Sequence, residues 1–307
     1  MELLDKKQLN KKSGCCICGE ESIIIDIVKT INPSSSEILN LRECSNCKHW
    51  WIDPIPNQKY LTQLYKDGSE FVVSKNYEGT SIKLTEEDFQ KYLSEFFNLL
   101  SNDLSDLNYL EIGIGSGQLF SLFSRKVRLA YGVEPGDCSI NHRNVVSDID
   151  DVPKDIKFDI MVAQDVLEHL ANLVDMLVKL RSFANGRAVI ICGFPNSDSF
   201  KAKLLKGKWD MIRPIGHLHF FSSKSIEIMF EKSGWELIYK NKCSPGRVST
   251  WGVIKQLNFN LRNPFKVMYN LIKILLLPLV LLLRKDQWYL IGKAKNKLSN
   301  NEKRKTN

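Results

Sequence analysis

The sequence lacks several features that would assign it to other classes of protein. No apolar run reaches the roughly 20 uninterrupted residues of a membrane-spanning helix, because the best candidate, 267–283, contains Lys273 and Pro278. No internal repeat is present, and the lysine-rich N-terminus does not resemble a secretory signal. We therefore expect a cytoplasmic protein whose 8 cysteines stay reduced, with paired Cys-x-x-Cys units holding metal rather than forming disulfides.

Acidic residues are scarce near the C-terminus. Residues 255–307 contain 12 Lys and Arg against 2 acids, a formal charge of +10, whereas the remaining 254 residues sum to −2. The same stretch contains the almost wholly aliphatic run 274–283, which disfavours nucleic acid as the partner. Basic residues beside aliphatic ones favour peripheral contact of 266–285 with an anionic membrane. A buried helical hairpin and a true span remain as alternatives.

Four cysteines form two Cys-x-x-Cys pairs, Cys15 with Cys18 and Cys44 with Cys47, and 25 residues separate the pairs. A β-hairpin fits between them, and four thiolates in this spacing suit a closed, tetrahedral structural zinc site. Cys15 fits the spacing better than Cys16, and His49 is a spare donor. The alternative is a degenerate site or a redox pair.

A glycine-rich turn is the most informative motif. In Leu110-Glu-Ile-Gly-Ile-Gly-Ser-Gly117 the glycines follow a predicted strand, 108–112, and precede a predicted helix that starts at Gln118. Glycine permits positive φ and lets a ligand approach bare backbone. Because the spacing is G-x-G-x-G rather than G-x-G-x-x-G, a dinucleotide oxidoreductase is disfavoured.

Further predicted strands place an acid near this turn. A second apolar run, 129–135, ends in Glu134, about twenty residues beyond the glycines, where a doubly wound sheet presents a carboxylate to ribose hydroxyls. Third and fourth strands are predicted at 158–163 and 188–195, with a helix that begins directly after the third. A helix at 222–233, a strand at 235–240 and a last strand at 287–294 complete the prediction.

These pieces resemble the class I S-adenosylmethionine-dependent methyltransferases. The matching motifs are E-I-G-I-G-S-G, G-V-E-P and F-D-I-M-V-A-Q-D-V-L-E-H-L, over roughly 108–240 and again near 288–295. The resemblance implies an α/β fold: a Rossmann-like class I methyltransferase sheet, with a small N-terminal zinc ribbon and a C-terminal apolar helical insertion. The expected division begins with a disordered tail (1–14), the ribbon (15–53) and a linker with N-terminal helices (54–107), one of which starts at Thr85. The donor-binding domain (108–254), the insertion (255–284), the last strand (285–295) and a basic tail (296–307) follow.

The resemblance also implies roles for individual residues. Gly113, Gly115 and Gly117 would wrap the methionine and ribose parts of S-adenosylmethionine, Glu111 would face its amino group through solvent, and Glu134 would bind the ribose diol. Asp148 and Gln164 are candidates for adenine-side and methionine-side contacts, with Asp150 and Asp151 competing for the first role.

Five histidines are available for base catalysis, and three are serious candidates. His217 and His219 lie in a segment that resembles the family's H-L-x-x-F-S signature, and His217 is the preferred base or acceptor-positioning group because imidazole can accept a proton at neutral pH. His169 is expected at a helix start beside the donor pocket, where it caps the helix or packs against neighbouring side chains. A structural, hydrogen-bonded His217 is the alternative.

A zinc ribbon before such a domain is typical of enzymes of carbohydrate-modifying pathways. We therefore expect O-methylation of a sugar in glycan or related metabolite biosynthesis, with a small-molecule or lipid-linked glycan as acceptor. The alternatives are methylation of a phenolic or quinone-like lipid, which the aliphatic segment favours, and a non-catalytic zinc-ribbon adaptor, which the basic tail favours.

Overall fold

The computed structural model of the chain describes residues 9–10, 14–29, 38–66, 103–136, 142–243 and 285–295. The helix predicted from Thr85, the insertion 255–284 and the basic tail 296–307 lie outside these ranges, as does most of the predicted tail 1–14.

The N-terminal part of the chain forms short antiparallel strands. These are β1 (Leu9–Asn10), β2 (Ser22–Lys29), β3 (Ile38–Cys44), β4 (Trp50–Asp53) and β5 (Ile55–Pro56), followed by helix α1 (Gln58–Lys66). Strands β2, β3 and β4 pair in order, and β1 pairs with β5. The β2–β3 hairpin confirms the prediction of a hairpin between the two cysteine pairs.

The rest of the described chain alternates strands and helices. The strands are β6 (Asn108–Ile112), β7 (Leu129–Val133), β8 (Val145–Val146), β9 (Phe158–Gln164), β10 (Ala184–Pro195), β11 (His219–Phe220), β12 (Trp235–Cys243) and β13 (Gln287–Ala294). The helices are α2 (Gln118–Ser124), α3 (Leu173–Phe183), α4 (Phe200–Leu205) and α5 (Ser223–Lys232). The helix predicted directly after β9 begins later than expected, because a short 3-10 turn at Leu167–His169 comes first.

Seven of these strands form the central sheet in the order β12-β13-β10-β9-β6-β7-β8. Strands β6 to β10 pair in parallel, whereas β13 runs antiparallel between β10 and β12. The predicted fold class is therefore confirmed: a mixed α/β structure around a Rossmann-like sheet. In such a sheet the carboxyl ends of the parallel strands share one edge, where ligands bind.

The side chains of the central strands alternate between two apolar layers, as strand geometry requires. Leu110 and Met161 face the layer that helices α3 and α5 cover, and Tyr109 and Ile160 face the layer that α2 covers. Both faces of the sheet are thus buried, which explains why its strands read as nearly continuous apolar runs.

The ribbon is joined to the central domain rather than separate from it. Strand β11 pairs antiparallel with β4, so a segment that follows β10 completes the ribbon's own sheet. Cys44 and Trp51 belong to the same apolar cluster as Leu110. The hydroxyl of Ser222, which caps α5, donates to the carbonyl of Cys47 at 2.5 Å. The ribbon range 15–53 stays a prediction, and β11 adds a fourth strand to the ribbon's sheet.

Candidate functional site

The three glycines after β6 adopt the left-handed conformation that favours glycine, with φ of 70° at Gly113, 50° at Gly115 and 69° at Gly117. The amide of Gly113 donates to the carbonyl of Val133 at 2.8 Å, and the amide of Gly117 donates to that of Ile114 at 2.7 Å. These bonds fold the loop across the carboxyl ends of β6 and β7. A side chain at Gly115 would meet nothing within 4 Å, so the loop faces open space there.

Glu134 lies directly against this loop. Its Oε2 accepts a hydrogen bond from the amide of Gly115 at 2.8 Å, and its Oε1 accepts one from the amide of Gly136 at 3.1 Å. The structure thus brings together the acid and the glycines that the sequence placed about twenty residues apart. A half-buried carboxylate at this edge can accept two hydrogen bonds from vicinal hydroxyls.

The predicted position of Glu111 is wrong in one respect, because its carboxyl group does not face solvent. The residue is only 5% exposed and accepts a hydrogen bond from the Tyr109 hydroxyl at 2.5 Å. The Tyr109 ring stacks on Phe123 at 4.3 Å, inside the layer that α2 covers. Burial raises the pKa of Glu111 to about 8, the Tyr109 hydrogen bond opposes that shift, and nearby Glu134 adds to it.

The raised pKa of Glu111 predicts a pH-dependent stability. A carboxyl group with a pKa near 4.5 when unfolded and about 8 when folded holds its proton more tightly in the folded state. The contribution of Glu111 to the free energy of unfolding is therefore complete below pH 4.5 and is lost as the pH rises through 8. We expect the free energy of unfolding to fall by a few kcal/mol, in order of magnitude, across this window.

The Glu111→Gln variant should flatten this dependence when urea unfolding is measured from pH 5 to 9, and replacing exposed Glu20 by glutamine serves as the control. Glu168, which also has a raised pKa because of its burial, contributes a slope of the same sign in both variants. If the free energy of unfolding of Glu111→Gln depends on pH as steeply as that of the parent chain, the raised pKa of Glu111 is contradicted.

Gln164 ends β9, beside a glycine that the sequence analysis did not identify. In the sheet Gly193 of β10 lies opposite Gln164, and a Cβ built on Gly193 would come within 2.0 Å of Nε2 of Gln164. The Gln164 side chain therefore lies over the backbone of β10, and its Oε1 is buried without a hydrogen-bond partner among the described residues. A glycine inside an otherwise apolar strand was the available signal, since it often marks such a close approach.

Asp148 follows β8 and caps a short 3-10 helix. Its side chain accepts a hydrogen bond from the amide of Asp150 at 2.9 Å, and the residue is exposed. Asp151 lies in the same helical turn. This capping bond accounts for Asp148 locally, and its predicted adenine contact stays a prediction.

Glu168, His169 and His217 form a compact group just beyond the end of β9. One ligand atom from each lies within 4.8 Å of those of the other two. His169 Nδ1 lies 2.5 Å from the carbonyl oxygen of Gly216, and His217 Nδ1 lies 2.8 Å from that of Met211. Since a carbonyl only accepts, each Nδ1 carries the hydrogen and each Nε2 carries the lone pair.

Burial controls the charge of this group. It raises the pKa of Glu168 well above its ordinary value, an effect that Asp165 increases. It lowers the pKa of His217 well below its ordinary value, with His169 and Arg213 acting in the same direction. The raised pKa favours the protonated carboxyl of Glu168, and the lowered pKa favours the neutral imidazole of His217. The rings of His169 and His217 pack edge to face at 4.9 Å.

The structure places His219 apart from this group. It lies in β11, pairs with Trp51 of the ribbon sheet and is fully buried. Its Nδ1 is 3.0 Å from Nε2 of His49. The prediction of His219 as an alternative base is therefore not supported, because its ring lies against His49 of the ribbon, whereas His217, which precedes β11, lies beside Glu168 and His169.

The four predicted metal ligands converge. The sulfur atoms of Cys15, Cys18, Cys44 and Cys47 all lie within 4.8 Å of one another, with Sγ–Sγ distances of 3.5 Å for Cys15 and Cys47 and 3.3 Å for Cys18 and Cys44. A tetrahedral zinc ion with bonds of about 2.3 Å requires separations of about 3.8 Å. The donor set therefore fits a closed zinc site after small adjustments.

Matching turns explain why the cysteines converge. Each pair is followed by a residue in the left-handed region, Gly19 with φ of 89° and Lys48 with φ of 59°. The amide of Gly19 donates to the carbonyl of Cys15 at 2.8 Å, and that of Lys48 donates to Cys44 at 3.2 Å. The same tight turn thus presents two thiols from each half of the ribbon.

None of the described helices is both long and apolar enough to cross a membrane. The candidate membrane-contact segment 266–285 lies outside the described residues except for its last position.

A doubly wound sheet with an antiparallel β13, and a glycine loop joined to an acid at its carboxyl edge, define a nucleoside-binding α/β fold. A profile of the family described as "Methyltransferase domain" matches residues 85–240, half of the 307-residue chain. The chain belongs to this family and is an S-adenosylmethionine-dependent methyltransferase.

Three similar proteins are distant in sequence. An uncharacterized protein of Methanocaldococcus jannaschii is 24% identical over 162 residues, which cover 50% of this chain and 79% of that protein. The structure of 1,6-didemethyltoxoflavin-N1-methyltransferase from Burkholderia thailandensis matches with a TM-score of 0.51 and 9% identity, covering 88% of this chain and 100% of that one. Magnesium protoporphyrin IX methyltransferase from Synechocystis PCC 6803 has a TM-score of 0.46 and 14% identity, with 78% and 98% coverage. At these identities the likeness concerns the fold.

Proposed function

We propose that the chain transfers a methyl group from S-adenosylmethionine to a sugar hydroxyl in glycan or related metabolite biosynthesis. The observation that carries this proposal is that the candidate residues share one edge of the sheet. The glycine loop, Glu134 and Gln164 lie at the carboxyl ends of the parallel strands, and His217 lies beside Glu168, just beyond the end of β9. A donor site and a candidate proton acceptor thus share one side of the sheet.

The residues present fit the donor. The open space in front of Gly115 accommodates a ligand against bare backbone, and the carboxylate of Glu134 suits a ribose diol. The buried Oε1 of Gln164, which accepts no hydrogen bond from the described residues, suits an ammonium or amide donor. When bound, S-adenosylmethionine supplies an electrophilic methyl group on a sulfonium.

Alignment and proton removal are the remaining tasks. An in-line displacement depends mainly on holding the two reactants in line, which the rigid strand ends achieve. Nε2 of His217 accepts the proton of the sugar hydroxyl, while its Nδ1 bond to Met211 fixes the ring. The raised pKa of Glu168 favours its protonated form, which can donate a hydrogen bond to an acceptor oxygen. The positions of His217 and Glu168 beside the strand ends support this arrangement.

We further propose a structural zinc ion at Cys15, Cys18, Cys44 and Cys47, which their convergence supports. A phenolic or quinone-like lipid remains the alternative acceptor, and contact of 266–285 with an anionic membrane would favour it. The sequence also offers a non-catalytic adaptor, which the match to the methyltransferase family disfavours. The joined glycine loop and Glu134 argue against it, because an adaptor has no need of them.

A crossed pair of variants tests the proposal. Glu134→Ala should weaken binding of S-adenosylmethionine about ten- to a hundredfold in calorimetry, because it removes a charge-assisted contact to the ribose. His217→Gln should leave donor affinity nearly unchanged and should lower the methylation rate about 10²- to 10⁴-fold, the usual contribution of a general base.

The measurement uses the full chain with radiolabelled donor and a panel of nucleotide sugars, lipid-linked sugars and phenols. NADH should not compete for the donor site. Tight NADH binding without any response to S-adenosylmethionine would overturn the donor assignment. Labelling of phenols but not of sugars would contradict the sugar acceptor and would support the phenolic or quinone-like lipid.

A further inference from the structure

Three more potential metal ligands lie beside the four cysteines. Cys16 comes from the first Cys-x-x-Cys segment, His49 follows the second, and His219 comes from β11 in the central part of the chain. One ligand atom from each lies within 4.8 Å of those of the other two. Methyl transfer uses none of these residues, and the four-cysteine site already has a complete set of ligands.

Distances within this group suit a transition metal. Nε2 of His49 and Nδ1 of His219 are 3.0 Å apart, and Sγ of Cys16 is 3.9 Å from the same Nδ1. A tetrahedral zinc ion with Zn–N bonds of about 2.0–2.1 Å and Zn–S bonds of about 2.3 Å separates two nitrogens by about 3.3 Å and a nitrogen from a sulfur by about 3.6 Å. Both observed distances lie within a few tenths of an ångström of these values.

A hydrogen bond between the two histidines explains the group less completely. An imidazole nitrogen has either one hydrogen or one lone pair. His49 and the Cys16 thiol therefore compete for the single site at Nδ1 of His219, and only one of them can bond there in good geometry. A cation bound between the three atoms accepts a lone pair from each, so the competition disappears.

Packing holds the two imidazole rings in place. His49 and His219 are both fully buried. The His49 ring stacks on Trp51 at 5.8 Å and packs against Phe221 at 5.2 Å. Rings fixed in this way bind a metal with little loss of side-chain entropy, and Cys16 is half-buried, which leaves a route for the ion and for one water molecule.

We infer that Cys16, His49 and His219 bind a second zinc ion, with water as the fourth ligand. Sulfur and imidazole donors favour Zn²⁺ over the hard cations Mg²⁺ and Ca²⁺, which prefer oxygen. Binding displaces the thiol proton of Cys16 to solvent. The ion links both cysteine segments to β11 and so anchors the strand that begins two residues after His217.

Metal counting on the full-length chain tests this site. Protein purified from zinc-supplemented medium should contain two zinc ions per chain by elemental analysis. Cys16→Ser and His219→Gln should each reduce the count to one, whereas the control His142→Gln should keep two. Cys16→Ser is the more informative variant, because it is nearly isosteric and half-buried and so preserves the fold.

Cobalt substitution identifies which ion is lost. The four-thiolate site gives strong sulfur-to-cobalt charge-transfer absorption, which should persist in Cys16→Ser, while the weaker absorption of the Cys-His-His site disappears. One zinc ion in the parent, or two that remain in Cys16→Ser, would overturn the inference. Loss of both ions in Cys16→Ser would also overturn it, since all the residues would then serve a single site. None of these counts depends on methyl transfer.

Discussion

Replacing Cys44 by serine is expected to destabilise the whole chain and to weaken donor binding, besides removing the proposed zinc ion from the four-cysteine site. Cys44 is fully buried, and its Sγ lies 3.3 Å from that of Cys18. Structural zinc contributes about 10–16 kcal/mol of apparent binding energy in small zinc domains, so the loss of one ligand should cost several kcal/mol. The melting temperature should fall by roughly 10 °C or more.

The effect should spread because the ribbon shares its core with the central sheet. Cys44 lies in the same apolar cluster as Leu110 and Met161, and β11 completes the ribbon's sheet. A ribbon that loosens therefore also releases the segment that carries His217. Differential scanning calorimetry should show one transition at a lower temperature.

Cys192→Ala is the matched control, since Cys192 is equally buried but lies outside both groups of metal ligands. It should keep the zinc and lose only about 1 kcal/mol, the contribution of one small buried group. Two separate transitions in Cys44→Ser, with unchanged donor affinity, would contradict the shared core and would indicate a ribbon that unfolds independently of the central sheet.

Most of the central sheet could be predicted from the sequence, because the signals are local. Six predicted strands, three glycines and Glu134 locate most of the sheet and the loop at its edge without knowledge of tertiary structure, and β6 was predicted with both bounds correct. The hairpin between the cysteine pairs followed from spacing in the same way. Such features need only the neighbouring residues to be recognised.

The remaining features depend on register and packing. Strand alternation puts Tyr109 and Glu111 on one face of β6, but the sequence does not show that packing buries the Glu111 carboxyl beside the Tyr109 hydroxyl. Nor does it show that Gly193 lies opposite Gln164, since strand pairing decides this. The partnership of His49 and His219 spans 170 positions and exists only because β11 joins the ribbon sheet. A signature that contains two histidines could not reveal that they face different sites.

The glycine loop offers a test that separates folding from donor binding. Gly113 and Gly115 both have positive φ, but their surroundings differ. A Cβ on Gly113 would lie 2.5 Å from Cγ2 of Val166, whereas a Cβ on Gly115 would meet nothing within 4 Å. One alanine therefore collides with the protein, and the other enters the space assigned to the donor.

Gly113→Ala should lose about 2–5 kcal/mol of stability, since left-handed alanine costs about 1–2 kcal/mol and overpacking about 1–3 kcal/mol more. Gly115→Ala should lose only the part of this stability that comes from left-handed alanine. Its affinity for S-adenosylmethionine should nevertheless fall by at least tenfold, because the alanine methyl group occupies the space proposed for the donor. Urea unfolding and calorimetry on the same samples measure the two effects separately.

A double variant isolates the steric part. Adding Val166→Ala to Gly113→Ala removes the Cγ2 atom that causes the collision, so part of the lost stability should return even though Val166→Ala alone is destabilising. Gly115→Ala should show no such coupling with Val166→Ala. If Gly115→Ala instead binds the donor as tightly as the parent chain, the open space beside Gly115 is not the donor site, and Glu134 must reach the ribose from another side of the loop.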